Sequence, residues 1–419
     1  MKVLIVNTSE NTGGAAVAAN RLTEALNNNG VKAKMLVRDK ETDDITVTGL
    51  PKSIRTKWNF LWERLVIFIR LHFSRKNLFA VDIANCGTDI TKLREFKEAD
   101  IIHLHWINQG MLSLKGIRKI LGSGKPVVWT MHDMWECTAI CHHAHSCMKY
   151  TTTCEKCPLT SEISIGDMAK GVFRKKMRMM ESSRIHFVAV STWLAGKARS
   201  SSLLRNQPIE TIPNSLSLSK FKLLDRNDSR SSLSITEKYV IAFGAARIDF
   251  PVKGFSYLKE ALGYLVGEMG YCTDDVRLLL FGAVRNADTL TGIPVKYTHL
   301  GVVKDDHTLS QIYSAANVLV SSSLYETFGQ TLIEAQACGC IPVSFNNSGQ
   351  TDIITHEKNG YLAEYLSAKD LAAGIGWAFN TNVSRRELRK EVLGKYSESN
   401  VANKYIKLYE RIKNEKTLP

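Results

Sequence analysis

The chain has 419 residues, of which 44% are hydrophobic, and its 55 Lys and Arg residues against 41 Asp and Glu residues give a formal charge of +14. A chain of this length is too long for one typical core, so we expect two domains of about 200 residues each. An integral membrane protein is disfavoured, because the strongest apolar run, Leu65 to Ile69, is far shorter than the roughly 20 residues that span a bilayer. The excess of positive charge predicts an anionic partner, for which nucleic acid, an anionic membrane surface and phosphorylated substrates all qualify.

The first half of the chain alternates short apolar runs with helical segments. This alternation predicts an α/β domain over residues 1–216, with a parallel sheet covered on both faces. The predicted strands are 2–7, 32–37, 101–105, 126–131, 186–190 and 210–212, and the predicted helices are 15–28 and 112–121.

A glycine-containing loop, Asn11-Thr12-Gly13-Gly14-Ala15, follows the first predicted strand and opens the first helix. Glycines allow a backbone to approach a ligand closely, and the start of a helix directs amides at a phosphate. The loop is neither G-x-G-x-x-G nor a Walker loop with its Lys, which argues against a dehydrogenase or an ordinary ATPase.

The stretch from Lys52 to Lys76 contains seven Lys or Arg residues and a single acid, Glu63. Its apolar residues recur at helical spacing, which predicts an amphipathic helix suited to the cytoplasmic face of a bilayer. The alternative is a core-packed helix whose basic side chains are simply solvated. The apolar positions are Trp58, Leu61, Trp62, Leu65, Phe68 and Ile69.

Two predicted strands of the first half carry histidines. His132 lies at the end of the strand 126–131, where a single histidine is usually structural, but the adjacent Asp133 favours a functional role. His103 and His105 alternate on the strand 101–105, so the pattern alone does not separate them from packing residues. We take His132 as the candidate functional residue and His105 as a candidate for lining the cleft.

Four cysteines follow closely after His132, in the pattern Cys141-x5-Cys147-x6-Cys154-x2-Cys157. Four thiolates within this short insert, residues 137–157, can surround a tetrahedral zinc ion, and the segment has few apolar residues with which to pack. We therefore predict a structural zinc site. Disulfides in an oxidising compartment and unpaired buried cysteines are the alternatives.

The second half begins after a polar stretch rich in Ser, Asp and Arg, for which we predict a linker over residues 217–236. The βα alternation then restarts and predicts a second α/β domain over residues 237–395. An amphipathic stripe in the final segment, 396–419, predicts one more helix. The predicted strands are 239–243, 276–281, 296–300, 318–321 and 341–345, and the predicted helices are 254–265, 309–315 and 368–379.

Two carboxylates, Glu326 and Glu334, lie eight residues apart where one strand leads into a helix predicted from Thr327 to Ala337. Glu326 should lie in the loop at the strand's carboxyl end, where open α/β sheets bind ligands. The amides of Phe328 and Gly329 should lie at the positive end of the helix, which suits a phosphate.

Arg247 and Lys253 follow another predicted strand, and Gly254 then begins a helix. An Arg fork and a Lys point charge at the end of a strand, where open α/β sheets bind ligands, suit an anionic ligand. The alternative is that both are ordinary surface residues.

The E-x7-E spacing with Phe-Gly inside it resembles the signature of the retaining glycosyltransferases of family 4. The resemblance implies the GT-B fold, in which two Rossmann-like domains face each other across a cleft and the last helix packs back on the first domain. It also implies that Glu326 contacts the transferred sugar and that Glu334 holds the ribose of the donor. The further residues that the resemblance implies are Arg247 and Lys253 on the diphosphate, Gly13, Gly14, Thr327, Phe328 and Gly329 around the donor, and His132 facing the sugar.

The expected activity is therefore retaining transfer of a hexose from a nucleotide sugar to a saccharide or lipid-linked acceptor during surface polysaccharide biosynthesis. No cofactor is expected for catalysis, and the expected location is the cytoplasm or the inner face of the cytoplasmic membrane. The alternative is a basic, zinc-knuckle nucleic-acid-binding protein without transferase activity. Against this alternative, no recognition-helix, RNP or C2H2 spacing is present, and no nucleic-acid partner is expected.

Overall fold

A computed structural model describes residues 1–51, 53–160 and 166–417 of the chain. These residues form two compact units. Unit 1 comprises Met1–Ser215 together with the end of the chain from Val401, and unit 2 comprises Leu216–Asn400. Each unit contains one fully parallel sheet, so the predicted pair of Rossmann-like α/β domains is confirmed.

Unit 1 is built on a seven-stranded sheet with the order β3-β2-β1-β4-β5-β6-β7. Its central strands are nearly continuous apolar runs because both faces of the sheet are buried. The strands are β1 (Lys2–Ser9), β2 (Lys32–Asp39), β3 (Val47–Gly49), β4 (Ile101–Leu104), β5 (Val127–Met131), β6 (His186–Ala189) and β7 (Ile209–Thr211). The helices are α1 (Gly14–Asn28), α2 (Ile54–Arg70), α3 (Arg94–Glu98), α4 (Leu114–Leu121), α5 (Met168–Glu181) and α6 (Thr192–Ser200).

Unit 2 is built on a six-stranded sheet with the order β10-β9-β8-β11-β12-β13. Its core lies between this sheet and helices that include α8 and α11. The strands are β8 (Tyr239–Arg247), β9 (Val276–Ala283), β10 (Lys296–His299), β11 (Val318–Ser321), β12 (Ile341–Phe345) and β13 (Tyr361–Ala363). The helices are α7 (Arg226–Ser232), α8 (Phe255–Gly267), α9 (Asp306–Ala315), α10 (Gln330–Ala337), α11 (Ala368–Asn380) and α12 (Arg385–Tyr396).

The last helix, α13 (Glu398–Thr417), returns the chain to unit 1. Its apolar stripe belongs to the same core as Val3 and Ile5 of β1. Within the described ranges, no helix, α13 included, is both long enough and apolar enough to cross a membrane. The buried positions of the stripe are Val401, Ala402, Tyr405, Leu408, Tyr409 and Ile412.

The stretch 217–236, expected as a linker, is instead an integral part of unit 2. Phe221 is fully buried, and Asp225 caps helix α7 by accepting hydrogen bonds from two backbone amides. Arg230 donates to the carbonyl of Ala315 at 3.0 Å and to the side chain of Asn317 at 2.8 Å. The polar composition of this stretch therefore reflects hydrogen bonds to its own unit, and not a solvated tether.

Each sheet has one point where the direction of strand addition reverses. In unit 1 this switch lies between β1 and β4, and in unit 2 it lies between β8 and β11. Open α/β sheets bind ligands just beyond the carboxyl ends of the strands at such a switch. The glycine-containing loop follows β1, Lys253 follows β8 and Glu326 follows β11, so three of the predicted site segments lie at these positions.

Candidate functional site

The carboxyl ends of β8 and β11 bring Lys253 and Glu326 into contact. The Nζ of Lys253 forms an ion pair with Oε1 of Glu326, and the hydroxyl of Ser323 donates to the same oxygen at 3.0 Å. Both charged side chains are partly exposed, at 29% and 22%. Two residues that the sequence analysis assigned to different parts of one ligand are thus direct neighbours, and both remain accessible.

The contact between Lys253 and Glu326 is fixed by a close approach of two backbone segments. Gly254 has a φ of +63°, and a Cβ at this position would lie 1.9 Å from the carbonyl oxygen of Ser322. The hydroxyl of Ser322 donates to the carbonyl of Gly254 at 2.8 Å. Because only glycine tolerates both the conformation and the contact, Gly254 keeps the turn after β8 against the turn after β11.

A third loop, which follows β12, holds the backbone around Glu326. The amide of Glu326 donates to the hydroxyl of Ser348 at 2.9 Å, and the amide of Gly349 donates to the carbonyl of Glu326 at 2.7 Å. A Cβ at Gly349 would lie 2.2 Å from the carbonyl oxygen of Thr327. The sequence analysis missed this support. The only signal is a glycine in a polar turn after a predicted strand, and that signal does not name its partner.

Helix α10 begins at Gln330 and not at Thr327 as predicted. The reason is Gly329, whose φ of +102° is incompatible with a helical turn and makes it the residue that precedes the helix. Thr327 and Phe328 therefore lie in the loop. The ring of Phe328 is buried and packs edge-on against Tyr396 with a centroid distance of 5.8 Å. Its side chain is therefore not available to a ligand.

Glu334 lies one turn inside α10 and is 7% exposed. Its Oε2 accepts a hydrogen bond of 3.1 Å from the hydroxyl of Tyr313 on α9. Burial and the nearby Glu334 carboxylate hold the pKa of Tyr313 well above its usual value, so the hydroxyl stays protonated and can donate. The sequence carried no signal for this pairing, because Tyr313 lies on a different helix.

Arg247 is the last residue of β8, and its side chain is 35% exposed. Its guanidinium lies over the ring of Phe250 at 4.9 Å, and its Nε is 3.3 Å from Oδ1 of Asp249. Stacking of this kind limits the rotamers of the side chain while leaving the planar fork able to meet an oxyanion.

In unit 1 the glycine-containing loop connects β1 to α1. Gly13 precedes α1 with a φ of +93° and provides no capping side chain, and Gly14 is the first residue of the helix. The loop is anchored by the buried carboxylate of Glu10, which accepts hydrogen bonds from the amides of Glu41 and Thr42 at 2.5 and 2.9 Å. This anchor fixes the loop at the switch point between β1 and β4.

His132 follows β5 and stacks on His105, with a hydrogen bond of 2.9 Å between His132 Nε2 and His105 Nδ1. Burial lowers the pKa of His132 to about 4 and holds that of His105 well below its usual value, so both rings are neutral near pH 7. His105 is only 1% exposed, which shows that the expectation of a cleft-lining role for it was wrong. Since it lies directly against His132, it can position that ring.

A buried polar network lies behind His132. Asp133 accepts from the indole of Trp106 and from Nδ1 of His142, both at 2.8 Å. The other ring nitrogen of His142 is 2.7 Å from Asp82, which also forms an ion pair with Arg64 of α2. Although burial opposes the charge, the two carboxylates raise the pKa of His142 to about 10, so both of its ring nitrogens donate. The sequence analysis did not predict this network.

The four cysteines of the predicted zinc site line one small cavity together with Tyr150. None of the cysteines is in a disulfide. In the described ranges, no three His, Cys, Asp or Glu side chains are grouped closely enough to hold an ion, so zinc stays a prediction. The four residues are Cys141, Cys147, Cys154 and Cys157.

Two family models match successive parts of the chain. Residues 12–220 match the model described as Glycosyltransferase Family 4, and residues 225–393 match the model described as Glycosyl transferases group 1. An uncharacterised glycosyltransferase of Methanocaldococcus jannaschii is 24% identical over 365 residues, which cover 80% of this chain and 90% of that protein. The sequence relationship therefore extends over both units.

Solved structures agree with the fold. Sucrose-phosphate synthase from Thermosynechococcus elongatus is similar with a TM-score of 0.66 at 18% identity, over 98% of this chain and 99% of that one. HepE of Anabaena, solved in complex with UDP-glucose, is similar with a TM-score of 0.65 at 14% identity, over 98% and 100% of the two chains. These findings do not favour the alternative of a nucleic-acid-binding protein without transferase activity. The two family models and the shared architecture identify the chain as a glycosyltransferase with the GT-B fold.

Proposed function

We propose that the protein is a retaining hexosyltransferase that takes a hexose from a nucleotide sugar. The observation that carries the proposal is the accessible ion pair of Lys253 and Glu326 at the switch point of unit 2. A nucleotide sugar joins an anionic diphosphate to a neutral sugar, and a cation beside a carboxylate is complementary to that junction. The UDP-glucose complex of Anabaena HepE supports a donor of this class.

The diphosphate attracts Lys253 and Arg247. When it binds, the ammonium of Lys253 exchanges part of its contact with Glu326 for phosphate oxygens, and Glu326 becomes free to accept a hydrogen bond from a sugar hydroxyl. The N-terminal end of α10, preceded by Gly329, adds a positive dipole that favours the same phosphates. These groups stabilise the charge that develops as the bond between the sugar and the phosphate breaks.

Transfer with retention follows if the acceptor hydroxyl attacks on the face that the diphosphate leaves. The bond from the anomeric carbon to the phosphate oxygen breaks, and the bond to the acceptor oxygen forms. The proton of the acceptor hydroxyl passes to the departing phosphate oxygen. No side chain needs to form a covalent intermediate in this route.

Glu334 is proposed to bind the ribose of the nucleotide. Tyr313 donates to one oxygen of its carboxylate and helps to hold the side chain in place, and a carboxylate can accept a hydrogen bond from a ribose hydroxyl. From unit 1 we propose His132 and the loop of Gly13 and Gly14 as further donor contacts. A neutral His132 can hydrogen-bond to a sugar hydroxyl without placing a charge beside the anomeric carbon.

The acceptor is proposed to be a saccharide carried on a lipid, as in surface polysaccharide assembly, and the protein to work at the inner face of the cytoplasmic membrane. The basic composition of the chain, with a formal charge of +14, supports an anionic partner of this kind.

The test is a screen of nucleotide sugars by thermal shift and by donor turnover. A ligand at a hundred times its dissociation constant raises the unfolding free energy by about 2.7 kcal/mol, which a thermal shift detects. With the donor identified, Glu334→Ala should weaken binding of the free nucleotide, whereas Glu326→Ala and Lys253→Met should lower turnover by about a hundredfold or more. Product anomers separated by NMR establish whether configuration is retained.

The matched control is Lys407→Met, which makes the same substitution at an exposed lysine of α13. It should leave both binding and turnover unchanged. Binding of nucleic acid without turnover of any nucleotide sugar would overturn the proposal in favour of a binding protein. Normal nucleotide affinity in Glu334→Ala would remove the ribose assignment alone.

A further inference from the structure

Helix α2 of unit 1 exposes a stripe of apolar side chains and buries Asn59, Glu63 and Arg64. Trp58, Leu61 and Trp62 are 57%, 55% and 50% exposed, and they are part of a stripe that covers about a third of the helix circumference at 100° per residue. The alternative of a core-packed helix is therefore wrong for this element. We call this stripe the apolar face of α2, and it consists of Ile54, Trp58, Leu61, Trp62, Leu65 and Ile69.

The opposite side of α2 attaches the helix to unit 1 through polar contacts. Glu63 is fully buried and accepts hydrogen bonds from the amides of Ile83 and Ala84 at 3.1 and 2.6 Å. Arg64 is 6% exposed and donates to the carbonyl of Leu78 at 2.6 Å as well as pairing with Asp82. The helix is thus firmly held with its apolar face outward, and Arg64 is not part of any exposed basic surface.

The exposed charged side chains described within residues 53–81 are all positive. Lys57 lies next to the stripe, and Arg75 and Lys76 follow the end of the helix. Between residues 53 and 81 the only acid is Glu63, which is buried. Two further aromatic side chains, Phe73 and Phe79, are 69% and 59% exposed in the same segment.

We propose that the apolar face of α2 docks on an anionic lipid surface. A convex helix face with tryptophans, long aliphatic side chains and flanking cations matches the boundary between lipid headgroups and acyl chains, where Trp58 and Trp62 can insert and Lys57, Arg75 and Lys76 can meet phosphates. The absence of exposed acids from residues 53–81 favours a uniformly anionic partner over a protein surface of mixed charge. The helix lies parallel to the membrane in this arrangement.

Only one consequence of this docking rests on the proposed function: a lipid-linked acceptor would be presented to unit 1. The docking itself depends on α2 alone. Membrane binding and sugar transfer can therefore succeed or fail separately, and each has its own measurement.

The experiment is co-sedimentation of the full chain with vesicles of phosphatidylcholine alone and of phosphatidylcholine with about a third phosphatidylglycerol. We expect binding to the anionic vesicles only, with a blue shift of tryptophan fluorescence. Binding should weaken as salt increases, since the Debye length falls from about 10 Å at 0.1 M to about 3 Å at 1 M.

Two variants separate the contributions. Trp58→Ser with Trp62→Ser should lower vesicle affinity at least about tenfold, and Lys57→Glu with Arg75→Glu and Lys76→Glu should abolish it. Neither set touches the buried contacts of Glu63 and Arg64, so the folded state and nucleotide-sugar binding should be kept. The matched control is Ile45→Ser with Val302→Ser, which removes exposed apolar side chains elsewhere, at 89% and 60% exposure.

Several results would overturn the docking. One is that the parent protein does not sediment with anionic vesicles. Another is that the tryptophan variant sediments like the parent. A third is that the parent is a dimer and Trp58→Ser with Trp62→Ser makes it a monomer, which would assign the apolar face to a second copy of the chain. Transfer to a soluble acceptor without vesicle binding would keep the proposed hexosyl transfer and overturn the docking, whereas vesicle binding without donor turnover would keep the docking and overturn the proposed transfer.

Discussion

At the scale of single residues, the clearest electrostatic feature is a group of neutral histidines near the carboxyl ends of β4 and β5. Burial lowers the pKa of His103 to about 3, and the ring is held by Tyr409 at 2.6 Å and Thr130 at 2.8 Å. In the unfolded chain this histidine has the usual histidine pKa of about 6.5. Between these two values the unfolded chain binds a proton that the folded protein excludes, so folding becomes less favourable as pH falls.

We therefore predict that the unfolding free energy of His103→Gln decreases less in acid than that of the parent protein. From about pH 7 to about pH 4.5, the unfolding free energy of the parent should fall by about 2–3 kcal/mol relative to that of the variant, because a pKa unit corresponds to about 1.4 kcal/mol. Denaturant unfolding of both proteins across this range measures the difference. Glu63 and Glu136, whose pKa values burial raises to about 7 and about 8, act in the opposite direction but are common to both proteins.

Parallel stability curves for the two proteins would contradict the prediction. His299→Gln provides a control, since Nε2 of its ring donates one hydrogen bond to the carbonyl of Gly282 at the edge of the other sheet. It should not change the pH dependence.

Single residues of the candidate site were predictable from the sequence where a charged side chain follows the end of a predicted strand. Lys253 and Glu326 are identified by their positions after apolar runs, and the structure places them in contact. Their supports were not predictable. Ser348 and Tyr313 act through hydrogen bonds across the fold, and a sequence pattern carries no record of which distant residue a hydroxyl meets.

At the scale of elements, long apolar runs predicted the central strands well, because burial on both faces demands such runs. The short edge strands β3 and β13 were missed, since three residues on a sheet edge need no apolar pattern. The polar stretch before β8 was mistaken for a linker because hydrogen-bonded arginines and solvated arginines have the same composition. For helix α2, the periodicity of the apolar residues was evident from the sequence, but only the structure shows which face is buried.

The insert that carries the four cysteines is the element for which we predict a structural metal. Its thiols line one cavity, and the buried ammonium of Lys176 lies beside it, donating to the carbonyls of Trp135 and Thr138 at 2.6 and 3.1 Å. A zinc ion with four thiolates is dianionic, which would balance this buried cation. We expect one zinc per chain by metal analysis of protein purified without chelator, and its loss in Cys154→Ser with Cys157→Ser.

Cys272→Ser is the matched control, because Cys272 is exposed in unit 2. Zinc well below one per chain, with freely titratable thiols in the insert, would exclude the metal. Only a mild chelator suits the activity assay, since removal of a structural zinc can unfold the insert for reasons unrelated to catalysis.

For the whole molecule, the chain passes from unit 1 to unit 2 near residue 215 and returns near residue 400. Unit 1 is therefore complete only when the last segment of the chain has folded onto it. Tyr405 and Tyr409 of α13 are buried, and their hydroxyls reach Thr130 at 3.0 Å and His103 at 2.6 Å. By contrast, the ion pair of Lys253 and Glu326 lies wholly within unit 2.

We therefore predict that substitutions in the buried face of α13 lower the stability of unit 1 but not that of unit 2. Tyr405→Ala with Tyr409→Ala removes two buried rings, each of which contributes about 3–5 kcal/mol, so unit 1 should unfold at lower temperature or fail to fold. The two substitutions leave the core of unit 2 intact, so unit 2 should keep its hydrogen-exchange protection and its affinity for the free nucleotide. Sugar transfer should be lost when unit 1 is unfolded. Lys404→Ala with Lys407→Ala, on the exposed side of the same helix, should change neither unit. Equal loss of protection in both units would instead mean that they fold as one cooperative structure, and nucleotide affinity would then disappear together with transfer.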